Sequence, residues 1–300
     1  MRKKRFLTAL VLFLAVSMLS STNVLAKKKK VVDVLVFAGQ SNMMGHGDAS
    51  AAPKVKKKVG VSYLPISKPK KISDLTEPFG RDENDQYVSN VYDGENYATG
   101  SMVSAFAKAY NKESGRTVLA VPCAMPGTGS YIWAEQKHKA ISQRTAKAIK
   151  VAKKAGYKIG HVYLVWMQGE SDALAMQRNE DGTCDSDMSA DMHIKNVRTM
   201  YRKAKKKAGF EKCFIIKIPS YYGDTKDPYG EKWIHYFKVI QDAQDTLCED
   251  YDDFVMAYSK TPKLGKASMQ SDGMHMTQAA LNKVGKGAGK FAGKYSRQDQ

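Results

Sequence analysis

Short apolar runs alternate with amphipathic stretches along most of the chain. Five of the apolar runs predict buried strands, at residues 33–39, 117–123, 161–169, 213–220 and 253–259. The amphipathic stretches predict helices at residues 101–113, 136–155, 187–208, 231–247 and 277–292. Strands that are apolar almost throughout are typical of a parallel sheet covered on both faces. The pattern therefore predicts an α/β fold, a three-layer α/β/α sandwich with a central five-stranded parallel sheet.

Residues 46–99 interrupt this alternation. They are polar, punctuated by proline and glycine, and only weakly periodic. Such a segment inside a compact domain is more often a functional loop than a second domain, and we expect it on the substrate side. The prediction is one domain over residues 33–295. A basic linker at 27–32 precedes it, and a short tail at 296–300 follows.

The first 26 residues have the pattern of a secretory signal peptide. A basic start, "MRKKRF", precedes the apolar stretch "LTALVLFLAVSML", and small residues end at Ala26. A membrane anchor would need about 20 apolar residues, and this stretch is shorter. No later segment is apolar over the length of a membrane span. We expect an exported, extracellular protein without a membrane span.

The charge is strongly positive, with a formal net value of +18. Much of the excess lies in lysine runs at residues 27–30, 54–58 and 203–207. Such runs are usually solvated surface, and the alternative is weak association with an anionic cell-wall polymer or an acidic polysaccharide. Nucleic acid is not an expected partner, because no recognition motif is present and the protein is predicted to be exported.

Two further patterns limit the chemistry. The run "GKGAGKFAGK" at 285–294 is similar to a nucleotide loop, but no Ser or Thr follows its lysine and no strand precedes it, so it predicts a basic helix end rich in small residues. Four cysteines allow three disulfide pairings and form no zinc-binding spacing: Cys123, Cys184, Cys213 and Cys248. We expect neither a metal nor an organic cofactor.

Chemically rich stretches follow three predicted strands. "GQSNMMG" comes after the first, "CAMPGTGSYIW" after the second and "MQGESD" after the third. Ligand sites of open α/β sheets form beyond the carboxyl ends of the strands. Ser41 in the first stretch is either a helix N-cap or a nucleophile, and a nucleophile needs a base and oxyanion donors.

The base candidate is His275, which Asp272 precedes by three residues in "SDGMH". This spacing can bring the carboxylate to the imidazole and fix its tautomer. The oxyanion donors predicted from the residues are the backbone N–H of Ser41, the N–H of Gly127 and the side-chain amide of Gln168, with Gly129 as the alternative glycine. Glu170 and Asp172 are interpreted as scaffolding of the pocket.

Substrate contacts are predicted at two places. His46 follows the Ser41 segment and could line the pocket. Aromatic residues of the loops could form a sugar-stacking rim, or could be ordinary packing: Tyr63, Tyr87, Tyr92, Tyr97, Tyr131 and Trp133.

The four blocks "GQSNMMG", "PGTGSYIW", "WMQGESD" and "DGMH" together resemble those of SGNH-type hydrolases. They are most similar to the branch of sialate O-acetylesterases and acetylxylan esterases, which is carbohydrate esterase family six-like. The resemblance spans residues 33 to about 285 and implies a flavodoxin-like SGNH hydrolase fold. It implies Ser41 as the nucleophile, Asp272 and His275 as its partners, and Gln168 with the Gly127 region as the oxyanion hole. Relatives more often have Gly-Gly-Thr/Ser where this chain has "PGTGS", so Gly127 and Gly129 both stay candidates.

These residues and the resemblance predict a secreted serine esterase that removes O-acetyl groups from a carbohydrate. One alternative is an O-acetyltransferase acting on a cell-wall or exopolysaccharide sugar. Another is a catalytically silent glycan-binding protein. The sequence does not identify the acetylated sugar or the oligomeric state.

Overall fold

A computed structural model of the protein describes residues 30–83, 99–180, 188–224, 226 and 230–298. Several sequence predictions lie outside these residues. They are the signal peptide, the first half of the basic linker, part of the 46–99 segment, the last two residues of the tail, Cys184, Tyr87, Tyr92 and Tyr97.

A seven-stranded sheet forms the centre of the described structure. Its strands are β1 (Val31–Gly39), β2 (Gly60–Tyr63), β3 (Ile72–Asp74), β4 (Thr117–Ala124), β5 (Lys158–Met167), β6 (Lys212–Ile216) and β7 (Phe254–Tyr258). Their spatial order is β3-β2-β4-β1-β5-β6-β7. All neighbouring pairs are parallel except β2 with β3. The predicted α/β fold is confirmed, and the five predicted strands form the greater part of the sheet.

The helices alternate with these strands along the chain. They are α1 (Ser41–Met44), α2 (Val103–Ser114), α3 (Ser130–Ile132), α4 (His138–Lys154), α5 (Glu170–Glu180), α6 (Ala190–Ala208), α7 (Gly230–Asp250) and α8 (Gln278–Gln298). A π-helical turn, Trp133–Lys137, joins α3 to α4. Short 3-10 turns lie at Ala49–Ala51, Gly80–Glu83, Thr261–Lys263 and Lys266–Ser268. No helix in the described ranges has the length and apolar character needed to cross a membrane.

The 46–99 segment is not only a loop, because β2 and β3 add two strands to one edge of the sheet. β2 pairs with β4, and Ser62 Oγ donates to the carbonyl of Asp74 on β3 at 3.0 Å. β2 is only four residues long and contains a serine, yet all four residues are buried. The prediction of five strands was too low because β2 and β3 are too short to form a recognisable apolar run.

The sheet is covered on both faces, as β1 shows. Leu35 and Phe37 contribute to one apolar core, whereas Val34, Val36 and Ala38 contribute to the other. Helices α2 and α8 supply residues to the first core, and α4 and α6 supply residues to the second. Alternate side chains of a strand point to opposite faces, so a strand buried on both sides must be apolar throughout.

β1 lies between β4 and β5, so the chain passes from one half of the sheet to the other across β1. The carboxyl ends of these three strands meet at one edge. Ligand sites of open α/β sheets form at such a reversal of strand order. The segments that follow β1, β4 and β5 contain the three chemically rich stretches of the sequence.

Among the described residues, Cys213 and Cys248 carry free thiols. Burial raises the pKa of the Cys213 thiol, and burial followed by the negative charge of Asp245 raises the pKa of Cys248 to about 12. Both thiols are therefore protonated at neutral pH, and the fold of the described residues contains no disulfide.

Candidate active site

Ser41 is the first residue of α1 and follows β1 after a single residue, Gln40. Gln40 has extended backbone angles, φ −117° and ψ −151°, and occupies the N-cap position. The sequence alternative in which Ser41 itself caps a helix is therefore wrong. The Ser41 N–H donates to no acceptor among the described residues, and the side chain is 5% exposed.

Three side chains form a continuous hydrogen-bonded row at this edge of the sheet. The Nε2 of His275 lies 2.9 Å from Ser41 Oγ. The Nδ1 of the same ring lies 2.5 Å from Asp272 Oδ2. The structure thus brings together the predicted nucleophile, base and acid, although Ser41 and His275 lie at opposite ends of the domain sequence. This is the geometry in which an imidazole can accept a hydroxyl proton while a carboxylate fixes its tautomer.

The turn that contains Asp272 holds the carboxylate by backbone as well as side-chain contacts. Asp272 Oδ1 accepts hydrogen bonds from the N–H groups of Met274, at 2.8 Å, and His275, at 2.9 Å. Burial raises the pKa of Asp272, but the bonds from the His275 side chain and these N–H groups outweigh burial and hold it well below its usual range. The carboxylate therefore stays ionised and can stabilise an imidazolium.

Asn42 links α1, which begins at Ser41 (the serine helix), to the turn that contains His275 (the histidine turn). Its Nδ2 donates to Glu170 Oε1 at 2.8 Å and to the carbonyl of Met274 at 3.1 Å, and its Oδ1 accepts from the N–H of Met276 at 3.0 Å. The two bonds to the turn flank His275 on either side. Asn42 therefore sets the separation of α1 and His275. Glu170 has no exposed surface, and burial raises its pKa against the opposing effect of the Asn42 hydrogen bond.

Gln40 links the ends of β1 and β5. Its Oε1 accepts from the backbone N–H groups of Gly169 at 3.3 Å and Ser171 at 3.2 Å, at the start of α5. Its own N–H donates to the carbonyl of Met167 at 3.1 Å. The polar residues on both sides of Ser41 thus tie the nucleophile to two other parts of the site.

His46 lies directly against the catalytic imidazole. The rings of His46 and His275 are stacked, with centroids 4.3 Å apart and planes 4° apart. Burial, followed by the positive charge of His275, lowers the pKa of His46 to about 4. His46 is therefore neutral at physiological pH. It contacts the predicted base, and contact with substrate stays a prediction.

The loop after β4 contains the predicted glycine donors. Gly127 is exposed and has φ +65°, a conformation that favours glycine. The N–H groups of Gly127 and Gly129 donate to no acceptor in the described part of the chain. Gln168 contacts the same loop, because its Nε2 donates to the carbonyl of Thr128 at 3.2 Å. Gln168 has no exposed surface, so its visible role is to hold this loop, and its contact with an oxyanion stays a prediction.

The prediction of Trp133 as a sugar-stacking residue is wrong. Its ring is 1% exposed and packs edge-on against Trp166, with centroids 5.3 Å apart. Its Nε1 donates to Thr128 Oγ1 at 2.8 Å, so the large apolar ring supports the 125–129 loop from inside. Tyr63 is also buried, at 1% exposure, whereas Tyr131 is 56% exposed.

A second buried acid–histidine pair supports this loop from behind. Asp172 Oδ2 lies 2.6 Å from His193 Nδ1, and both side chains have no exposed surface. Asp172 Oδ1 accepts from the N–H of Ser130 at 2.8 Å, and Asn196 donates to Ser130 Oγ at 3.1 Å. The interpretation of Asp172 as scaffolding agrees with these contacts. His193 was missed because nothing in the local sequence indicates a partner 21 residues away.

Comparisons with known proteins identify the family and the fold of the chain. The family model described as carbohydrate esterase, sialic acid-specific acetylesterase, matches residues 31–295. No curated protein sequence matches the chain.

Among solved structures, a protein from Arabidopsis thaliana is 18% identical with a TM-score of 0.60, over 89% of this chain and 98% of that chain. A protein described as a GDSL-like lipase from Parabacteroides merdae is 14% identical with a TM-score of 0.51, over 88% and 97%. A variant of an acetylxylan esterase from Geobacillus stearothermophilus is 15% identical with a TM-score of 0.43, over 86% and 92%. The first two show that the chain shares their fold.

Proposed function

Because this chain belongs to the carbohydrate esterase family of sialic acid-specific acetylesterases, we propose that it is a serine esterase that removes O-acetyl groups from a carbohydrate. The observation that carries the proposal is the row Ser41–His275–Asp272, with 2.9 Å between Ser41 Oγ and His275 Nε2. A hydroxyl paired with an imidazole, which is in turn paired with a carboxylate, is an activated nucleophile. A catalytically silent protein has no need of this arrangement.

In the proposed reaction, Ser41 Oγ attacks the acetyl carbonyl carbon while His275 takes the hydroxyl proton. The oxyanion is stabilised by the N–H groups of Ser41 and Gly127, and Gln168 is the further donor proposed. The carbon–oxygen bond to the sugar then breaks, and His275 gives its proton to the sugar oxygen. His275 next takes a proton from the water that attacks the acetyl carbon on Ser41. The bond between this carbon and Ser41 Oγ then breaks, His275 returns the proton to Ser41 Oγ, and acetate leaves. Neither a metal nor an organic cofactor takes part in this scheme.

Hydrolysis of an aryl acetate by the wild-type chain and by Ser41→Ala tests the proposal. We expect the variant to lose roughly a thousandfold or more of kcat, since removal of a triad member leaves only binding and oxyanion stabilisation. Asp272→Asn is the companion variant, because it keeps the shape of the side chain and removes its charge. Acetate release that does not depend on Ser41 would falsify the proposed role of this residue.

The substrate is tested with a panel of acetylated carbohydrates, namely xylan, sialic acid, peptidoglycan and capsular glycans. Acetate release ranks the members of the panel. Added sugar acceptors distinguish hydrolysis from transfer, because an acetyltransferase would make acetylated acceptor at the expense of free acetate. We propose hydrolysis, since the scheme needs only water as the second substrate.

Export is part of the proposal and rests on the sequence pattern of residues 1–26. A basic start, an apolar stretch and small residues before the predicted cleavage site are typical of a secretory signal. N-terminal sequencing of protein recovered from the culture medium is expected to start at Lys27. Recovery of the uncleaved chain from the cell interior would contradict export.

A further inference from the structure

A groove of about 580 Å³ lies between α2 and α8, outside the candidate active site. Two exposed lysines from each helix line it: Lys108 and Lys112 on α2, Lys286 and Lys290 on α8. Its floor is apolar and includes Pro53, Ala105 and Ala109. Glu113 is the carboxylate among the described residues that line it. We refer to these lysines and this floor as the lysine groove.

Close contact between the two helices creates the lysine groove. Gly285 and Gly289 lie against α2 so tightly that a Cβ on either would fall 2.2 Å and 2.3 Å from the carbonyl oxygens of Met102 and Phe106. Gly293 continues the seam one turn later against Tyr110. The residue numbers of the contacting pairs rise together along both helices, so the helices run parallel.

The lysines of α8 follow these glycines directly in the sequence. The helices run parallel and Gly285 lies beside Met102. In this alignment the four lysines are spread over about nine residues along the pair of helices. At 1.5 Å per residue this is a row of about 14 Å. The basic helix end predicted from the sequence is thus one side of an extended cationic row.

The four ammonium groups of the lysine groove form no ion pair with any described residue. Lysines elsewhere on the surface do pair with carboxylates: Lys203 with Glu135, Lys205 with Asp253 and Lys238 with Asp242. Like charges around one groove repel each other, and an anionic ligand removes that repulsion. The lysine groove is therefore complementary to a linear polyanion.

We propose that the lysine groove binds a linear acidic polysaccharide. Carboxylates of the polymer pair with the row of ammonium groups, and the apolar floor contacts the C–H faces of the sugar rings. A phosphate polymer would match the charge but would leave Ala105, Ala109 and Pro53 without an apolar partner. The proposal concerns binding alone and does not depend on the reaction at Ser41.

The position of the lysine groove relative to the active site predicts a substrate preference, which rests on the proposed function. Helix α8 begins at Gln278, three residues after His275, so the groove extends along the helices from the catalytic edge of the sheet. A polymer held in the groove keeps its neighbouring units close to Ser41 at a raised effective concentration. Acetylated acidic polysaccharides would then be deacetylated more efficiently than neutral ones.

Titration calorimetry with unacetylated polygalacturonate oligosaccharides tests the binding. The oligosaccharide carries no acetyl group, so a failure of the esterase proposal leaves this result unaffected. The test variant is Lys108→Gln, Lys112→Gln, Lys286→Gln and Lys290→Gln combined. The matched control removes four lysines from a different surface groove of about 310 Å³: Lys57→Gln, Lys70→Gln, Lys71→Gln and Lys154→Gln. Both variants lose the same net charge.

We expect the test variant to bind roughly tenfold or more weakly, from the sum of four exposed charge pairs, and the control to bind within about twofold of wild type. Two double variants, one without the lysines of α2 and one without those of α8, are each expected to lose part of the affinity. They replace the fourfold variant as the test if that variant does not fold. Equal losses in test and control variants would show general charge attraction and overturn the proposal. Tighter binding of linear polyphosphate than of polygalacturonate, or no binding at low salt, would also overturn it.

Discussion

The imidazole of His46 lies flat on the imidazole of His275, with ring centroids 4.3 Å apart and planes 4° apart. This contact covers one face of the catalytic ring, whose hydrogen bonds lie in the plane of the ring, and so restricts its rotation. The neighbour is uncharged at physiological pH, because burial and the charge of His275 lower the pKa of His46 to about 4. A neutral ring can stack on His275 in both protonation states, whereas a cation at this place would oppose formation of the imidazolium.

His46→Ala is expected to reduce kcat on an aryl acetate by about fivefold with little change in KM, because loss of a stacked ring costs about 1 kcal/mol. His46→Phe restores a flat ring and is expected to retain most of kcat. His46→Lys introduces a positive charge and is expected to be worse than His46→Ala at neutral pH and below. If His46 contacts the sugar instead, KM for the acetylated glycan would rise while kcat on the aryl acetate stayed unchanged.

The lowered pKa of His46 also predicts how stability depends on pH. The unfolded chain binds a proton at this histidine below about pH 6.5, whereas the folded chain does so only near pH 4. Acid therefore favours the unfolded state through this residue, progressively from about pH 6.5 down to about pH 4. Asp272 acts in the same direction, because its pKa in the folded chain also lies below the unfolded value, and its stabilisation is lost as the pH falls below about 4.

His46→Phe is accordingly expected to gain stability relative to wild type on acidification. Between pH 7.5 and pH 4.5 the difference in the free energy of unfolding should change by about 2.5 kcal/mol. Urea denaturation of both proteins at the two pH values measures it. Parallel stability curves over this range would contradict the assigned pKa.

The sequence predicted the strands whose residues form continuous apolar runs. β1 and β4 appear within two residues of their predicted bounds, because a central parallel strand must be apolar on both faces. β2 and β3 were missed because strands of four and three residues at an edge leave no such run. Helix α5 was missed because its sequence, "ESDALAMQRNE", has few apolar positions.

The proposed catalytic residues Ser41, Asp272 and His275 were predictable for a different reason. Ser41 lies at the end of a clear strand, and Asp272 lies near His275 in sequence, so local patterns indicated both parts. Contacts between distant segments were not predictable in this way. The stacking of His46 on His275 depends on the packing of two loops from opposite ends of the domain. The burial of Trp133 depends on Trp166 in β5, which no pattern near Trp133 reveals.

Asn42 offers a test of how the serine helix is joined to the histidine turn. Asn42→Asp replaces the donor Nδ2 by an oxygen that faces the buried carboxylate of Glu170 and the carbonyl of Met274. We expect loss of about 2–4 kcal/mol of stability and a large fall in kcat, since buried acceptors then face each other without a donor. Thermal denaturation and aryl acetate kinetics measure the two effects.

Glu170→Gln in the Asn42→Asp background supplies the matched rescue. The new amide at position 170 can donate to the carboxylate at position 42, which restores the buried hydrogen bond with donor and acceptor exchanged. Part of the stability and of kcat is expected to return, although the bond to Met274 stays lost. An additive effect of the two substitutions, without rescue, would show that the Asn42–Glu170 contact does not position the histidine turn.

Asp172 supports the loop of the predicted oxyanion donors. Asp172→Ala leaves the ring of His193 and the N–H of Ser130 buried without their partner, and we expect a loss of about 3–5 kcal/mol. Asp172→Asn keeps an acceptor for Ser130 and offers a donor to His193 Nδ1, so it should lose less than half as much. Urea denaturation ranks the two variants. The same unfolding midpoint for both would mean that the pair with His193 contributes little.

The close contact between α2 and α8 predicts that alanine in place of a contacting glycine lowers the stability of the protein, although alanine favours helix formation. Gly289→Ala should gain up to about 1 kcal/mol from helix propensity, yet its Cβ would lie 2.3 Å from the carbonyl oxygen of Phe106 and 2.8 Å from its Cα. Backbone atoms cannot move aside without separating the two helices, so we expect net destabilisation of about 1–3 kcal/mol. Gly287→Ala in the same helix is the matched comparison, because its Cβ would meet only the ring of Tyr258, which can turn. Thermal denaturation should therefore rank Gly289→Ala well below Gly287→Ala, and the reverse order would show that the helices separate at little cost.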